Sequence, residues 1–398
     1  MAVKYKTEGK RELDKVILEK LRTLLPEGNV LFDEPMSAHC SFKTGGPADA
    51  LVYAEDASDI IKVLDFAEEY GIPVIVIGNG TNLLVSDEGV EGIVLAVKSR
   101  EAYVFSPEGK NLRADTHRTG EKTDTCESGS GKERIRLRVP AGVLLSSFAK
   151  AAAKAGFSGT EPLAGIPGSV GGAVAMNAGA YGGEIKDIIV GAEVIIKEEQ
   201  AGKEFPPTKD SSDGEKTNPE ADGRNTDSEV NGEKTDPEAD GKNTNFRSDG
   251  EKKNSRYRLV TLSKEDLALE YRNSAVLKNG YIVVSALFEL EKGNAEESLA
   301  KIADLNGRRR DKQPLEYPSA GSTFKRPEGY FAGKLIEDAG LRGFRYGNAM
   351  VSEKHCGFVI NAGGATAGEV KELMSEVRKR VHDNSGVWLE PEVRMLGR

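Results

Sequence analysis

Residues Glu161 to Glu184 read EPLAGIPGSVGGAVAMNAGAYGGE. Gly165, Gly168, Gly171, Gly172, Gly179, Gly182 and Gly183 stand there among small residues such as Ser169 and Ala178. Glycine permits positive φ and lets a ligand lie directly on the main chain. A strand this rich in glycine is weak unless something flat or charged packs on it. Successive backbone N–H groups can face a phosphate, and small side chains can floor a planar ring. A plain surface loop is the competing reading. Ile166, Val170, Val174 and Met176 make the stretch too apolar for that.

Upstream, the chain has a βαβ pattern. Residues 10–25 are amphipathic with helical spacing, and Pro26 closes them. Gly45, Gly46 and Pro47 make a turn before a short strand from Ala50 to Ala54. Ser58 can cap the next helix, whose apolar face is Ile60, Val63, Leu64 and Ala67, with Gly71 as its stop. IPVIVI at 72–77 is a β-branched run that fits a strand buried on both faces.

That strand runs into GNGTNLLVSD, residues 78–87. Gly78 and Gly80 free the backbone, and Asn79, Thr81 and Asn82 add short donors ahead of Leu83. Main-chain N–H groups here can hold a pyrophosphate. The loop is not the dinucleotide fingerprint GxGxxG, because it lacks the third glycine and has no long helix behind it. Alone it is as much a plain turn. With Glu161–Glu184 it makes two glycine loops able to clamp one dinucleotide.

Two segments look different. Residues 106–134 and 198–256 are polar. The second holds an 18-residue repeat: GEKTNPEADGRNTDSEVN starts at Gly214, GEKTDPEADGKNTNFRSD at Gly232, and GEKKN restarts at Gly250. GEKTD also stands at Gly120. Such segments bury too little apolar surface to offset the entropy of ordering, so they read as loop insertions. Deleting Gly214 to Lys253 is therefore expected to leave bound-ligand content and activity near the parent's. A deletion protein that folds poorly or loses its ligand would count against this.

Between and beyond the insertions, strands are expected at Gly92–Val97, Ile135–Val139, Val190–Ile196 and Tyr281–Leu290. Helices are expected at Leu144–Ala155 and Ala295–Asn306, the latter ending in Arg308, Arg309 and Arg310. That basic run reads as a solvated helix end, or as a phosphate contact if an anion lies near. Thr366 and Glu369 form a capping box before the apolar face Val370, Leu373, Met374, Val377 and Val381. The two-residue strand period places Glu390 and Glu392 on one face of a closing strand.

The 398 residues imply two or three domains. A net charge of −9 argues against nucleic-acid or anionic-membrane partners, so an anionic substrate needs a local basic pocket. Cys40, Cys126 and Cys356 are odd in number and widely spaced, which suits a reducing cytoplasm and gives no metal site. No signal-peptide core and no run of 18 apolar residues is present, so a cytoplasmic protein is expected.

Three stretches can carry chemistry: Tyr271-Arg272-Asn273-Ser274, Gly321-Ser322-Thr323-Phe324-Lys325, and Glu390 to Arg394. Spacing alone does not bring them together. Each is compatible with an ordinary structural role.

Taken with SFKTGGPA, GNGTNLLVSD, PLAGIPGSVGGAVAMNAGAYGGEI, EYRNS, SAGSTFKRPEGYFAGKLIEDAGLRG and LEPEVRMLG, the chain resembles the UDP-N-acetylenolpyruvoylglucosamine reductase (MurB) family. The likeness covers nearly everything except the two insertions. It implies an α+β fold: a two-lobed FAD-binding domain of the vanillyl-alcohol-oxidase type plus a smaller α/β substrate lobe. The implied division is 1–98, 99–304 with the insertions, 305–386, and a closing strand at 387–398. The stretch from Ser319 is most like the family's second type, which lacks an extra tyrosine-bearing loop. Thr81 stands where serine is common.

The resemblance assigns catalysis to Arg272, Ser322 and Glu392, with Glu390 the weaker match. It assigns FAD to residues 78–83 and to Gly165, Gly168, Ser169, Gly171, Gly172, Ala178 and Gly179. It assigns the UDP-sugar to Lys325, Tyr330 and Lys334. It implies non-covalent FAD, NADPH as reductant, and neither a metal nor an obligate protein partner. An FAD-linked oxidase of the same fold, acting on an alcohol or sugar, is the alternative. A non-enzymatic nucleotide-binding protein using the repeats as a tail is a third reading.

Overall fold

The computed structural model describes residues 15–99, 104–105, 111–112, 125–127, 133–199 and 255–398. The 18-residue repeat and its echo at Gly120 lie outside them.

The first lobe opens with helix α1 (Lys15–Leu24) and strand β1 (Val30–Pro35). Strand β2 (Pro47–Ala54), helix α2 (Ala57–Tyr70) and strand β3 (Val74–Ile77) follow. Strands β4 (Leu83–Val85) and β5 (Val90–Val97) complete it. The sheet order is β1-β2-β5-β3, with β5 parallel to both neighbours and β1 antiparallel to β2. The period of two sorts its side chains into separate cores. Ala50, Val52, Ala54, Ile93, Leu95 and Val97 join the core under the second lobe. Leu51, Val90, Val94 and Ala96 join the core beneath the C-terminal region. The sheet is thus the wall between two hydrophobic interiors.

Two details correct the sequence reading. Asp56 caps α2, accepting from the Asp59 N–H at 2.9 Å, in place of Ser58. An aspartate one residue before the helix satisfies the orphan donors better than a serine already inside it. Strand β3 is not buried on both faces: Val76 is 37% exposed, because β3 is an edge strand.

A short ribbon, β6 (Val104–Phe105) and β7 (Asn111–Leu112), leads to the second sheet. That sheet holds β8 (Thr125–Glu127), β9 (Glu133–Pro140), β13 (Ile189–Lys197), β14 (Tyr257–Ser263) and β15 (Ile282–Lys292), in the order β14-β13-β15-β9-β8, all antiparallel. Between β9 and β13 lie helix α3 (Leu145–Lys154), the two-residue strand β10 (Phe157–Ser158) and the quoted glycine-rich stretch. Phe148 of α3 stacks on Phe288 of β15 with centroids 4.9 Å apart.

The glycine-rich stretch is mostly not extended. It forms helix α4 (Val170–Ala175) and the two-residue strands β11 (Gly179–Ala180) and β12 (Gly183–Glu184). Ser169 caps α4, accepting from the Gly172 N–H at 3.3 Å.

Helix α5 (Ala275–Asn279) follows β14. Helix α6 runs Ala295–Lys312, six residues beyond the expected Asn306, and packs on α3. Helix α7 (Ala332–Asp338) precedes an antiparallel sheet of β16 (Arg345–Tyr346), β17 (Ala349–Val351) and β18 (Val359–Asn361). Helix α8 (Ala367–Ser385) carries the expected capping box, and its five expected apolar residues are buried. The Asp87 carboxylate accepts from the Ala367 and Gly368 N–H groups, both at 2.8 Å, and so pins this helix to the first lobe.

The last strand, β19 (Arg394–Leu396), lies parallel to β4. Glu390 and Glu392 precede it and lie outside any named strand, contrary to the expected closing strand through them. Pro391 between them pairs with Phe324 in an isolated bridge. Glu390 reaches out to Lys325, and Glu392 reaches in to Arg272.

Candidate active site

The loop 78–82 leaves β3 and faces the start of α4. Asn79 Nδ2 donates to the Pro167 carbonyl at 2.8 Å. A Cβ on Gly78 would stand 2.2 Å from Ser169 Oγ, and one on Gly168 would stand 3.5 Å from Thr81 Oγ1. The two glycine loops are therefore in contact. Among the described residues, the N–H groups of Asn79, Gly80, Thr81 and Asn82 have no protein acceptor. Four successive free donors fit the pyrophosphate of FAD.

Not every glycine serves that purpose. A Cβ on Gly165 would stand 2.2 Å from Arg309 Nη1, and one on Gly171 would stand 2.8 Å from Ala141 Cβ. Those two glycines admit protein neighbours. Ala178 donates to the Ala173 carbonyl at 2.8 Å, and the Gly179 carbonyl accepts from Arg272 Nη2 at 3.3 Å. The glycine-rich stretch thereby touches the next element of the site.

The three stretches that spacing could not join are together. The Thr323 N–H donates to Gly357 O at 2.9 Å, and Thr323 O accepts from the Glu392 N–H at 2.9 Å. The Lys325 N–H donates to Glu390 O at 2.8 Å. These bonds zip the serine loop to the carboxylate segment. Arg272 Nε then meets Glu392 Oε1 at 2.6 Å across 120 residues of chain. Asn82 Nδ2 holds the Glu392 carbonyl at 3.0 Å, so the 78–82 loop and the carboxylate segment are joined. Arg272, Ser322 and Glu392 line one cavity of about 370 Å³.

Arg272 sits at φ 55°, a left-handed conformation uncommon for a side chain of its size. Its guanidinium lies 5.0 Å from the centre of the Tyr271 ring. Burial pushes the Glu392 carboxyl above the ordinary range, and the nearby charges of Arg272 and Lys325 offset this only in part. Ser322 is exposed to the cavity between Gly321, at φ 77°, and the buried, hydrogen-bonded Thr323.

The cavity is locally basic in a chain of net charge −9. Arg272, Arg326, Lys334, Arg342 and Lys354 line it, against Glu337 and Glu392. Of the expected substrate residues, Lys334 lines the cavity while paired with Asp338 at 2.7 Å. Lys325 lines an adjoining recess and pairs with Glu390 at 2.5 Å. Tyr330 is half-exposed and lines neither, and its carbonyl accepts from Arg326 Nε at 3.3 Å. Sequence reading missed Arg326, Arg342, Lys354 and His355. Their signal is single basic residues beside glycine in KRPEG, GLRG and EKHCG. The Gly357 N–H donates to His355 Nδ1 at 3.1 Å, and burial holds that imidazole below its usual range. Arg309 is no solvated helix end. It turns inward beside Gly165, and burial lowers its pKa from the ordinary guanidinium range.

Comparison with known proteins identifies the family. Residues 313–396 match the model of the UDP-N-acetylenolpyruvoylglucosamine reductase C-terminal domain. Residues 48–116 and 129–200 match the FAD binding domain. The UDP-N-acetylenolpyruvoylglucosamine reductase of Lachnoclostridium phytofermentans is 42% identical over 97% of this chain and 98% of its own length. That of Agathobacter rectalis is 41% identical over 97% and 99%. The crystal structure of the Thermus caldophilus enzyme (MurB) superposes with a TM-score of 0.60 at 27% identity, covering 92% of this chain and 98% of that one. This chain belongs to the UDP-N-acetylenolpyruvoylglucosamine reductase family.

Proposed function

We propose that Arg272, Ser322 and Glu392 carry the chemistry by which this chain, an FAD-dependent oxidoreductase of peptidoglycan synthesis, reduces the enolpyruvyl ether of UDP-N-acetylglucosamine to UDP-N-acetylmuramate. One observation carries the assignment: three groups from distant parts of the chain line one basic cavity, joined to the glycine loops through Asn82 and Gly179.

When bound, FAD would supply the hydride transfer between NADPH and the terminal carbon of the enolpyruvyl double bond. Negative charge then develops on the carbon beside the substrate carboxylate. Arg272 stabilises that charge, held in place by Glu392 and the Gly179 carbonyl. Glu392, its carboxyl raised by burial, donates to the developing enolate as a neutral acid. Ser322 delivers the proton that completes the saturated carbon. The cations Arg326, Arg342 and Lys354 suit the substrate's diphosphate.

NADPH as the reductant, non-covalent FAD, membership of the second type and a cytoplasmic location belong to the same reading. No histidine or cysteine stands in residues 78–87 or 161–184 to tether the flavin. No helix of the described residues is long and apolar enough to cross a membrane. The decisive assay follows NADPH absorbance with purified yellow protein. Oxidation dependent on the enolpyruvyl sugar is expected, with flavin released to the supernatant on acid precipitation. Oxidation that ignores the sugar would favour the oxidase alternative.

A further inference from the structure

Tyr271 and Arg272 stand at the tip of a tight turn. Two mutual bonds close its base: the Glu270 N–H donates to Asn273 O at 3.0 Å, and the Asn273 N–H donates to Glu270 O at 3.2 Å. Arg272 takes its left-handed φ inside this turn. Two other side chains fasten the turn to the chain around the end of α4. On one side of the base, Ser274 Oγ donates to the Ala175 carbonyl at 2.6 Å. On the other, Asn177 Nδ2 donates to the Glu270 carbonyl at 3.1 Å.

Asn177 is fully buried, and its amide is fully used. Nδ2 also donates to Glu184 Oε2 at 3.0 Å, and Oδ1 accepts from the Lys186 N–H at 3.0 Å. Two acceptors at one end and a donor at the other fix which way the amide points. Glu184 is anchored in turn. Lys186 Nζ lies 2.7 Å from its carboxylate, and this bond above all holds the carboxyl below its ordinary range. Asn177 also has a left-handed φ of 41°. Six described non-glycine residues have positive φ, and four of them, Asn177, Tyr181, Ala268 and Arg272, fall on the two segments joined here. Such conformations persist only where the surroundings over-determine them. The bonds of Asn177 and Ser274 supply that constraint, and they hold the turn whose side chain meets Glu392 at 2.6 Å.

We propose that Asn177 is a positioning residue for the reduction: it holds the base of the turn and thereby aims Arg272 at Glu392. Buried out of reach of every reactant, it acts through Arg272. This rests on reading Arg272 and Glu392 as reaction groups. Aspartate cannot stand in, because its carboxylate would face Glu184 and the Glu270 carbonyl. Glycine takes the left-handed φ without strain and removes only the amide.

The test follows the Asn177→Gly holoenzyme by stopped-flow flavin absorbance. Flavin content and reduction by NADPH should stay at the parent's level. Reoxidation by the enolpyruvyl sugar should slow by roughly 10- to 100-fold, the order lost when a reacting group is misplaced by about 1 Å. Added to Arg272→Gln, the same substitution should slow reoxidation by less than about 2-fold more, because two changes on one route are not additive. The pH profile gives an independent reading. Arg272 and Lys325 are the cations that offset the burial of Glu392, Lys325 being paired with Glu390, and Glu184 is a second carboxylate near Arg272. With Arg272 off its mark, Glu392 loses the larger of these two charges, so the alkaline limb that it sets should move to higher pH. Ser274→Ala, which frees the other side of the base, should show the same signature. Loss of flavin, full additivity with Arg272→Gln, equal slowing of both half-reactions or an unmoved limb overturns the proposal. Failure of both single variants to fold also overturns it, since the bonds would then hold the fold and nothing more. If Arg272→Gln alone leaves reoxidation at the parent's rate, the reading of the site has failed, and the proposal falls with it.

Discussion

Ser322→Ala should slow the half-reaction with the enolpyruvyl sugar by roughly 10² to 10⁴-fold and leave the half-reaction with NADPH at the parent's rate. Only the second half needs a proton donor at the substrate carbon. The substitution should not move the loop, because its anchors are the buried Thr323 and the backbone bonds on either side. Thr323 Oγ1 itself accepts from the Val359 N–H at 2.8 Å. Ser322→Cys should recover part of the loss, since a thiol also donates. Stopped-flow flavin absorbance follows the two halves separately. Equal slowing of both would make the serine a positioning residue. The acid would then be sought first at Glu392, since Lys325 is occupied by Glu390 and lines the recess.

The second large effect concerns the buried pair. Arg272→Gln should lower the same half-reaction by roughly 10² to 10³-fold, the usual loss when a preorganised charge stabiliser is removed. It also strips Glu392 of its first charge partner, which raises that carboxyl further. Glu392→Gln separates donation from titration. With the carboxyl already above its ordinary range, the neutral donor persists to higher pH and is lost as pH rises through the raised value. The parent's second half-reaction should therefore fall on the alkaline side of that value. The Glu392→Gln profile should lack this limb, because an amide donates without ionising. An identical limb in both proteins would assign the titration to another group.

How much of this was legible in the sequence depended on range. Local signals carried through: Gly71 ends α2 in the left-handed conformation, and Thr366 with Glu369 caps α8. The composition of GNGTN and of the glycine-rich stretch pointed to loops in contact. It did not reveal that part of the second loop folds as a helix capped by Ser169, because seven glycines and a run of small apolar residues suit strand, loop and helix alike. The resemblance named Arg272, Ser322 and Glu392, but only the backbone bonds of Thr323 show what joins two of their segments. A local basic pocket was expected but its members were not picked out, because Arg342 and Lys354 look like ordinary surface residues until α7 and the β17–β18 turn bring them to one space. Arg309 misled for the opposite reason. A charge in a run of charges reads as solvated, and only Gly165 opposite explains how it comes to lie inward.

The pairing of β19 with β4, described above as architecture, also orders events in time. Asn82 is among the first parts of the site to be synthesised and Glu392 among the last, and 310 positions separate them. Closing so long a loop carries an entropy penalty that only finished packing offsets. A nascent or half-folded chain can complete the β1-β2-β5-β3 sheet with the carboxylate still absent from Arg272. On the proposed assignment, competence for reduction therefore waits for the last segment of the chain to reach Arg272.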